Sequence, residues 1–195
     1  MSEQTIRSFI AVELPEDIKK ELKRVQTELA LDRYSFVKSV SPEGIHLTLK
    51  FLGGVPSSKI KDIVAVMEQA SQGVEPFDLE IREVGAFPNF HRPRVVWVGL
   101  KGDVERLVAW QQRLDDGLVP LGFAKENRPF TPHLTLARVR ETCSPADRQK
   151  LGEAVANSQV QVDYKFTVNA LSLMRSQLLP TGAVYTLQAE VKLNG

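Results

Sequence analysis

The chain has 195 residues, with 25 Lys and Arg against 24 Asp and Glu, a formal net charge of +1, and 43% hydrophobic and 25% charged residues. This is an ordinary globular composition, long enough to bury a core as one compact domain or two small lobes without disulfides or a structural metal. It excludes a collagen or a disordered tail. The longest apolar runs, such as Val95-Val96-Trp97-Val98, also fall far short of the roughly 20 residues of a bilayer helix. With almost no net charge, no broad electrostatic surface draws the chain onto nucleic acid, so any such substrate is gripped at a few phosphates. The amino terminus lacks a basic-then-apolar signal pattern, and the single Cys143 can form neither an internal disulfide nor a zinc ribbon. A cytoplasmic address is expected, with Cys143 as a buried or partly buried filler.

Taken in chain order, the elements repeat. Phe9-Ile10-Ala11-Val12 reads as a short apolar strand covered on two faces, and Val95-Val96-Trp97-Val98 as its counterpart, Phe9 to Trp97 being a step of 97 − 9 = 88. A helix follows each. The first opens at Pro15-Glu16-Asp17 and places Ile18, Leu22, Val25 and Leu29 on one stripe. The second begins at Asp103, a candidate N-cap, with Val104, Leu107, Val108, Leu114 and Leu118 on one face. Next in each half come a histidine strand and another helix, after Ser57 in one case and after Ser144-Pro145 in the other, where Asp147 stands three residues beyond the serine. Alternating strands then close each half, Phe77, Leu79 and Ile81 in the first, and Phe166, Val168 and Ala170 in the second.

The expected organisation is therefore a single bilobal domain over residues 1–195, with an internal repeat of about 5–90 and 93–176 and a carboxy-terminal strand at 183–193 that must join one lobe's sheet. In that last strand Tyr185, Leu187, Ala189, Val191 and Leu193 alternate with polar residues. Turn chemistry at Gly53-Gly54, Pro129 and Pro180-Thr181-Gly182 separates the periodic segments.

The most specific signal is a tetrad that recurs unchanged. His46-Leu47-Thr48-Leu49 returns as His133-Leu134-Thr135-Leu136, at 133 − 46 = 87. With 22 Leu and 9 Thr in the chain, a given His is followed by Leu-Thr-Leu by chance about six times in ten thousand, so coincidence is a poor account. In a strand, His46 and Thr48 share one face while Ile45, Leu47 and Leu49 fill the core; the same holds for His133 and Thr135 against Leu134 and Leu136. Two lobes related by a pseudo-twofold would bring both pairs to one cleft. One imidazole can be neutral and accept a proton while the other is charged and donates one, as an in-line displacement at phosphorus requires. The threonine hydroxyls would then hydrogen-bond the non-bridging phosphate oxygens. No metal or nucleotide cofactor is needed.

On these tetrads the sequence resembles the 2H phosphoesterase superfamily, named for two His-x-Thr-x motifs. Within it the chain is similar to the bacterial and archaeal RNA 2′,3′-cyclic phosphodiesterases, also called 2′-5′ RNA ligases. The resemblance runs through Arg7-Ser8-Phe9-Ile10-Ala11, Phe51-Leu52-Gly53, Arg94 to Gly99 with Trp97, and Thr131-Pro132. It implies an α+β bilobal fold with two antiparallel sheets lining a central cleft and helices outside. It also implies hydrolysis of a terminal 2′,3′-cyclic phosphate to a 2′-phosphomonoester, with 2′-5′ joining of RNA ends as the related reaction. By the same resemblance His46 would give a proton to the leaving 3′-oxygen, His133 would activate water, Thr48 and Thr135 would hold phosphate, and Arg138 would add a cationic contact. An offset of five points Arg138 away from the histidine face in an ideal strand, so that role requires a twist, a bulge or a strand end.

Other features have two readings. Phe51 either packs in the core or meets a base or ribose at the groove edge. Phe87 to Arg94 mixes basic and aromatic groups, as a single-stranded RNA contact or an ordinary polar loop would. His91 lacks the Leu-Thr context and reads as a surface residue. Arg128, Arg138 and Arg140 either neutralise phosphates or solvate strand ends, and Trp97 and Trp110 read as structural. A His-ligated metallohydrolase is the rival enzyme, but neither tetrad supplies an Asp, Glu or Cys beside its histidine. A silent RNA-end or nucleotide-binding module is the rival of another class. An ATP-dependent ligase is disfavoured because no Gly-x-x-x-x-Gly-Lys-Ser/Thr loop is present. The expected partners are RNA ends or nucleotides bearing a 2′,3′-cyclic phosphate, with no membrane and no obligate protein partner, the chain acting as a monomer.

Overall fold

A computed structural model of the chain describes residues 5–179 and 182–194; the amino-terminal segment read for a signal, and Pro180 and Thr181 of the last turn, lie outside it. Nine strands and four α-helices are described: β1 (Thr5–Val12), α1 (Glu16–Glu28), β2 (Val37–Ser39), β3 (Leu47–Pro56), α2 (Ile60–Ser71), β4 (Phe77–Phe87), β5 (Val95–Gly102), α3 (Val104–Leu118), β6 (His133–Val139), α4 (Pro145–Ala156), β7 (Tyr164–Val168), β8 (Ala170–Leu179) and β9 (Gly182–Lys192). They build two antiparallel sheets, of order β3-β1-β8-β9 and β2-β6-β5-β4-β7.

The repeat does not divide between the sheets as the sequence order suggests. β4, the closing strand of the first half, lies in the five-stranded sheet beside β5, and β2 joins the edge of that same sheet. The segment read as one closing strand from Phe166 to Ala170 breaks at Asn169. Its first part, β7, pairs with β4, so Phe77 and Phe166 stand in neighbouring strands of one sheet. Its continuation, β8, crosses to pair with β1 and β9. Pairing is set by which apolar edges meet in space, which local alternation does not encode.

The helices cross over as well. α1 follows a strand of the four-stranded sheet yet packs beside β7, and α3 follows a strand of the five-stranded sheet yet packs on β3. Ile18, Leu22 and Val25 of α1 and Leu107, Leu114 and Leu118 of α3 are fully buried, as their helical spacing requires. Residues of both sheets and all four helices form one continuous apolar cluster, and burying each Leu or Ile there stabilises the fold by about 1.5–3 kcal/mol. Between them lies a buried ion pair, Lys50 on β3 with Asp115 on α3. Lys50 Nζ also donates to the Ala124 carbonyl (2.6 Å) and Asp115 accepts from the Glu126 amide (3.1 Å), which fastens the loop running toward β6.

Two local expectations change. Asp103 precedes α3, but its carboxylate makes no cap; it accepts a long bond from the Asp78 amide (3.4 Å) and pairs with Arg106. Ser144, in contrast, caps α4 by accepting from the Asp147 amide at 3.1 Å and donating to its carboxylate at 2.8 Å. The alternation of β9 is interrupted because Gln188 is left over between the pairs Leu173–Ala189 and Met174–Leu187. That bulge leaves Leu187 47% exposed, although the sequence pattern placed it with Ala189 and Val191.

Helix α4 sits so close to the loop after β4 that a Cβ at Gly152 would lie 1.6 Å from the Phe90 carbonyl oxygen. Backbone cannot yield as a flexible side chain does, so Gly152→Ala is expected to lower stability by about 3 kcal/mol or more, read as a reduced denaturant midpoint.

Candidate active site

The two histidine tetrads lie on different sheets, on strands β3 and β6 that touch one another. His46 immediately precedes β3, and His133 opens β6. Ile45, Leu47 and Leu49, and likewise Leu134 and Leu136, are buried, while both histidines and both threonines are half-buried on the opposite face. Among the described residues neither threonine hydroxyl has a protein partner.

The same irregularity follows both tetrads. In the β1–β3 ladder Ile10 pairs with Lys50 and Ala11 with Thr48, so Leu49 is left over; in the β5–β6 ladder Val96 pairs with Ala137 and Trp97 with Thr135, so Leu136 is left over. One extra residue restores an offset of five to the starting face. Phe51 therefore lies across from Phe9, and Arg138 across from Val95, on the side that carries the imidazoles. The bulge that Arg138 required is present. Its guanidinium is exposed and acts electrostatically on both imidazoles, and Lys38 stands directly across from it on β2.

Aromatic rings hold both imidazoles. Phe9 stacks under His46 with centroids 4.5 Å apart, and Tyr185 of β9 meets it edge-on at 5.0 Å, lying close against Gly44. Phe87 meets His133 edge-on at 4.9 Å, with Trp97 at 6.4 Å. Trp97 lies over Gly85, where a Cβ would clash with the indole at 2.2 Å, so the glycine is the space the ring occupies. Backbone carbonyls fix the rings from below. His133 Nδ1 lies 2.7 Å from the Thr131 carbonyl, which makes Nδ1 the protonated nitrogen of the neutral ring and leaves the Nε2 lone pair free. His46 bonds in the same way to the carbonyl of Gly44, also two residues back.

Burial is the main force on both titrations. It pushes His46 down to about 4 from the usual 6.5, opposed by the Gly44 carbonyl and reinforced by Arg138. His133 is lowered by the same causes, with the Thr131 carbonyl opposing. Both rings are thus neutral at pH 7 in the free protein.

The remaining sequence candidates separate. Phe51 is not a core residue: it is 66% exposed at the groove edge, 6.1 Å from Phe9. Trp97 is half-buried and packs on Phe87 and His133, whereas Trp110 is fully buried and donates to Ser71 Oγ at 3.2 Å. In the Phe87–Arg94 segment only Phe87 backs a catalytic candidate. Phe90 packs against α4, and the Asn89 carboxamide oxygen accepts from the amides of His91 and Arg92 in a tight turn. His91, Arg128 and Arg140 are exposed, and Cys143 is half-buried with its thiol pushed up by burial. Phe9, Phe87 and Tyr185 are the rings packed on the imidazoles, contacts that sequence reasoning did not assign. The aromatic repeat at Phe9 and Trp97, in step with the tetrads, was the available signal. Among the described residues no group of three His, Cys, Asp or Glu side chains converges as metal ligands would.

Two sheets facing a groove, with one His-x-Thr pair on each, define a 2H-type phosphoesterase. The family model of the 2′-5′ RNA ligase superfamily matches residues 14–178. A protein of Methanothermobacter thermautotrophicus named RNA 2′,3′-cyclic phosphodiesterase is 39% identical over 93% of this chain and 95% of its own, and one of Methanocaldococcus jannaschii bearing the same name is 32% identical over 95% and 99%. In structure the chain is similar to a crystal structure from Thermus thermophilus, with a TM-score of 0.79, 30% identity, and 97% and 99% of the two chains covered. It shares its fold with E. coli LigT complexed with 3′-AMP, at TM-score 0.76, 23% identity, and 98% and 99% coverage. This chain belongs to the 2′-5′ RNA ligase superfamily.

The depressed titration of His46 has a consequence for stability. Its folded-state value lies below the unfolded 6.5, so the unfolded chain binds the proton first; stability is complete above pH 6.5 and is lost as pH falls toward 4. His46→Asn is expected to reduce the slope of unfolding free energy against pH in that window by up to one proton, about 1.4 kcal/mol per pH unit, in denaturant titrations at several pH values.

Proposed function

We propose that this protein opens RNA 2′,3′-cyclic phosphodiester ends to 2′-phosphomonoesters, without a metal, by in-line attack of water. The observation that carries this reading is one cation, Arg138, acting on both imidazoles, each of which stands two residues before a threonine whose hydroxyl has no protein partner among the described residues. His133, with its free Nε2, takes a proton from water as the water oxygen bonds to phosphorus. On the opposite side the bond from phosphorus to the 3′-oxygen breaks, and protonated His46 gives its proton to that oxygen. Thr48 and Thr135 donate to the non-bridging oxygens, and Arg138 balances their charge. The two tetrads are identical, so the assignment of His46 as donor and His133 as acceptor follows the family resemblance.

The curated relatives named RNA 2′,3′-cyclic phosphodiesterase support the substrate class. A 5′-hydroxyl in place of water would form a 2′-5′ linkage by the same proton transfers, which makes joining the related activity. Phe51, exposed beside Phe9, is positioned for a base or ribose. Every group named comes from one chain, and a monomer acting in the cytoplasm is the setting proposed here.

An oligonucleotide ending in a 2′,3′-cyclic phosphate, incubated with the protein and excess EDTA, is expected to give a 2′-phosphate, identified by chromatography against both isomers. Activity lost to chelation would favour the metallohydrolase, and tight binding without product the silent binding module. His46→Ala and His133→Ala are each expected to lower kcat by about 10²–10⁴-fold while the thermal transition persists. Wild-type turnover in either variant would overturn the paired-imidazole mechanism.

A further inference from the structure

Each tetrad bulge is touched by a buried glutamine from the other half of the repeat. Gln26 on α1 donates through Nε2 to the carbonyls of Leu136 (2.9 Å) and Val40 (2.7 Å). Gln111 on α3, 111 − 26 = 85 residues later, donates to the carbonyl of Leu49 at 3.4 Å. Leu49 and Leu136 are the left-over residues of the two ladders. Gln26 is 1% exposed, and its Oε1 is buried without a partner. An amide with an unsatisfied buried atom is a costly way to fill that volume. Its distinct contribution is to span two carbonyls, one in the bulge of β6 and one just beyond β2, at Val40, whose amide also donates to the Leu136 carbonyl (2.8 Å).

We propose that Gln26 is a positioning residue for Arg138: by tying the Leu136 bulge to the end of β2, it keeps β6 out of regular alternation and so holds the guanidinium on the histidine face. Without the bulge, residue 138 turns to the opposite face, away from both imidazoles. The role in catalysis rests on the reading of the site given above; the geometric role does not.

The charged and titratable groups around the imidazoles are Arg138 and Lys38 on the five-stranded sheet, and Glu13, Lys19, Glu43 and Tyr185 about His46. Gln26 is uncharged and exerts no Coulombic effect of its own on them. The test is an NMR titration of the two ring systems in the full chain, in wild type, Gln26→Met, Arg138→Gln and the double variant. Arg138→Gln is expected to raise the titration midpoint of both histidines. Gln26→Met, of similar volume, is expected to raise both in the same direction and to add nothing in the Arg138→Gln background. Gln111→Met, an equivalent loss at the mirrored bulge, is expected to leave the His133 midpoint where it is in wild type.

In turnover, Gln26→Met and Arg138→Gln are each expected to lower kcat/KM by about tenfold or more, the size of one charge-assisted hydrogen bond, again without adding. Unchanged midpoints in Gln26→Met, or additive shifts in the double variant, would overturn the proposal. If the methionine variant does not fold, Gln26→Asn keeps an amide but is one methylene too short to span both carbonyls, and the same comparison applies. Correct titration shifts without any turnover of a cyclic phosphate would preserve the positioning role and refute the assigned reaction.

Discussion

The site depends on a single interruption of β-sheet alternation, made twice. A strand delivers every second side chain to one face, so a histidine and the threonine two residues later share the groove at no structural cost. A fifth residue joins them only if one position is skipped, and both histidine strands skip the last leucine of the tetrad. The skipped leucines stay buried, which keeps the core intact while the groove face gains Phe51 on one side and Arg138 on the other.

The two halves of the groove are alike in backbone and unlike in chemistry. Each imidazole bonds the carbonyl two residues back and lies between aromatic rings, and this packing lowers both titrations by removing water. The offset-five position, however, is an uncharged ring after His46 and a guanidinium after His133. In the proposed reaction this duplicated frame would supply an acid and a base of the same kind, with one added cation to balance the phosphate charge. Burial, reinforced by Arg138, lowers both rings and leaves them neutral at pH 7 in the free protein.

Crossing connections make the frame rigid. Each half's first helix packs against the sheet that carries the other half's histidine, and buried polar groups seal the contact: Gln26 to Leu136, Gln111 to Leu49, and Lys50 with Asp115. Moving one sheet relative to the other would strand these groups without partners in the core, at about 1–3 kcal/mol for each neutral group and more for the ion pair.

The sequence by itself determined the helices, the inward leucines and the face shared by histidine and threonine, because these follow from periods of 3.6 and 2 that are written into neighbouring residues. It also made the need for a bulge at Arg138 visible, since an offset of five contradicts alternation. Only the tertiary structure decided that β4 crosses to the other sheet, that Asn169 separates β7 from β8, that Tyr185 reaches His46 and Leu187 is turned outward, and that Phe51 lies at the groove edge. Those outcomes depend on contacts between residues scores of positions apart, and on bulges whose register is fixed by the partner strand, so no local pattern contains them.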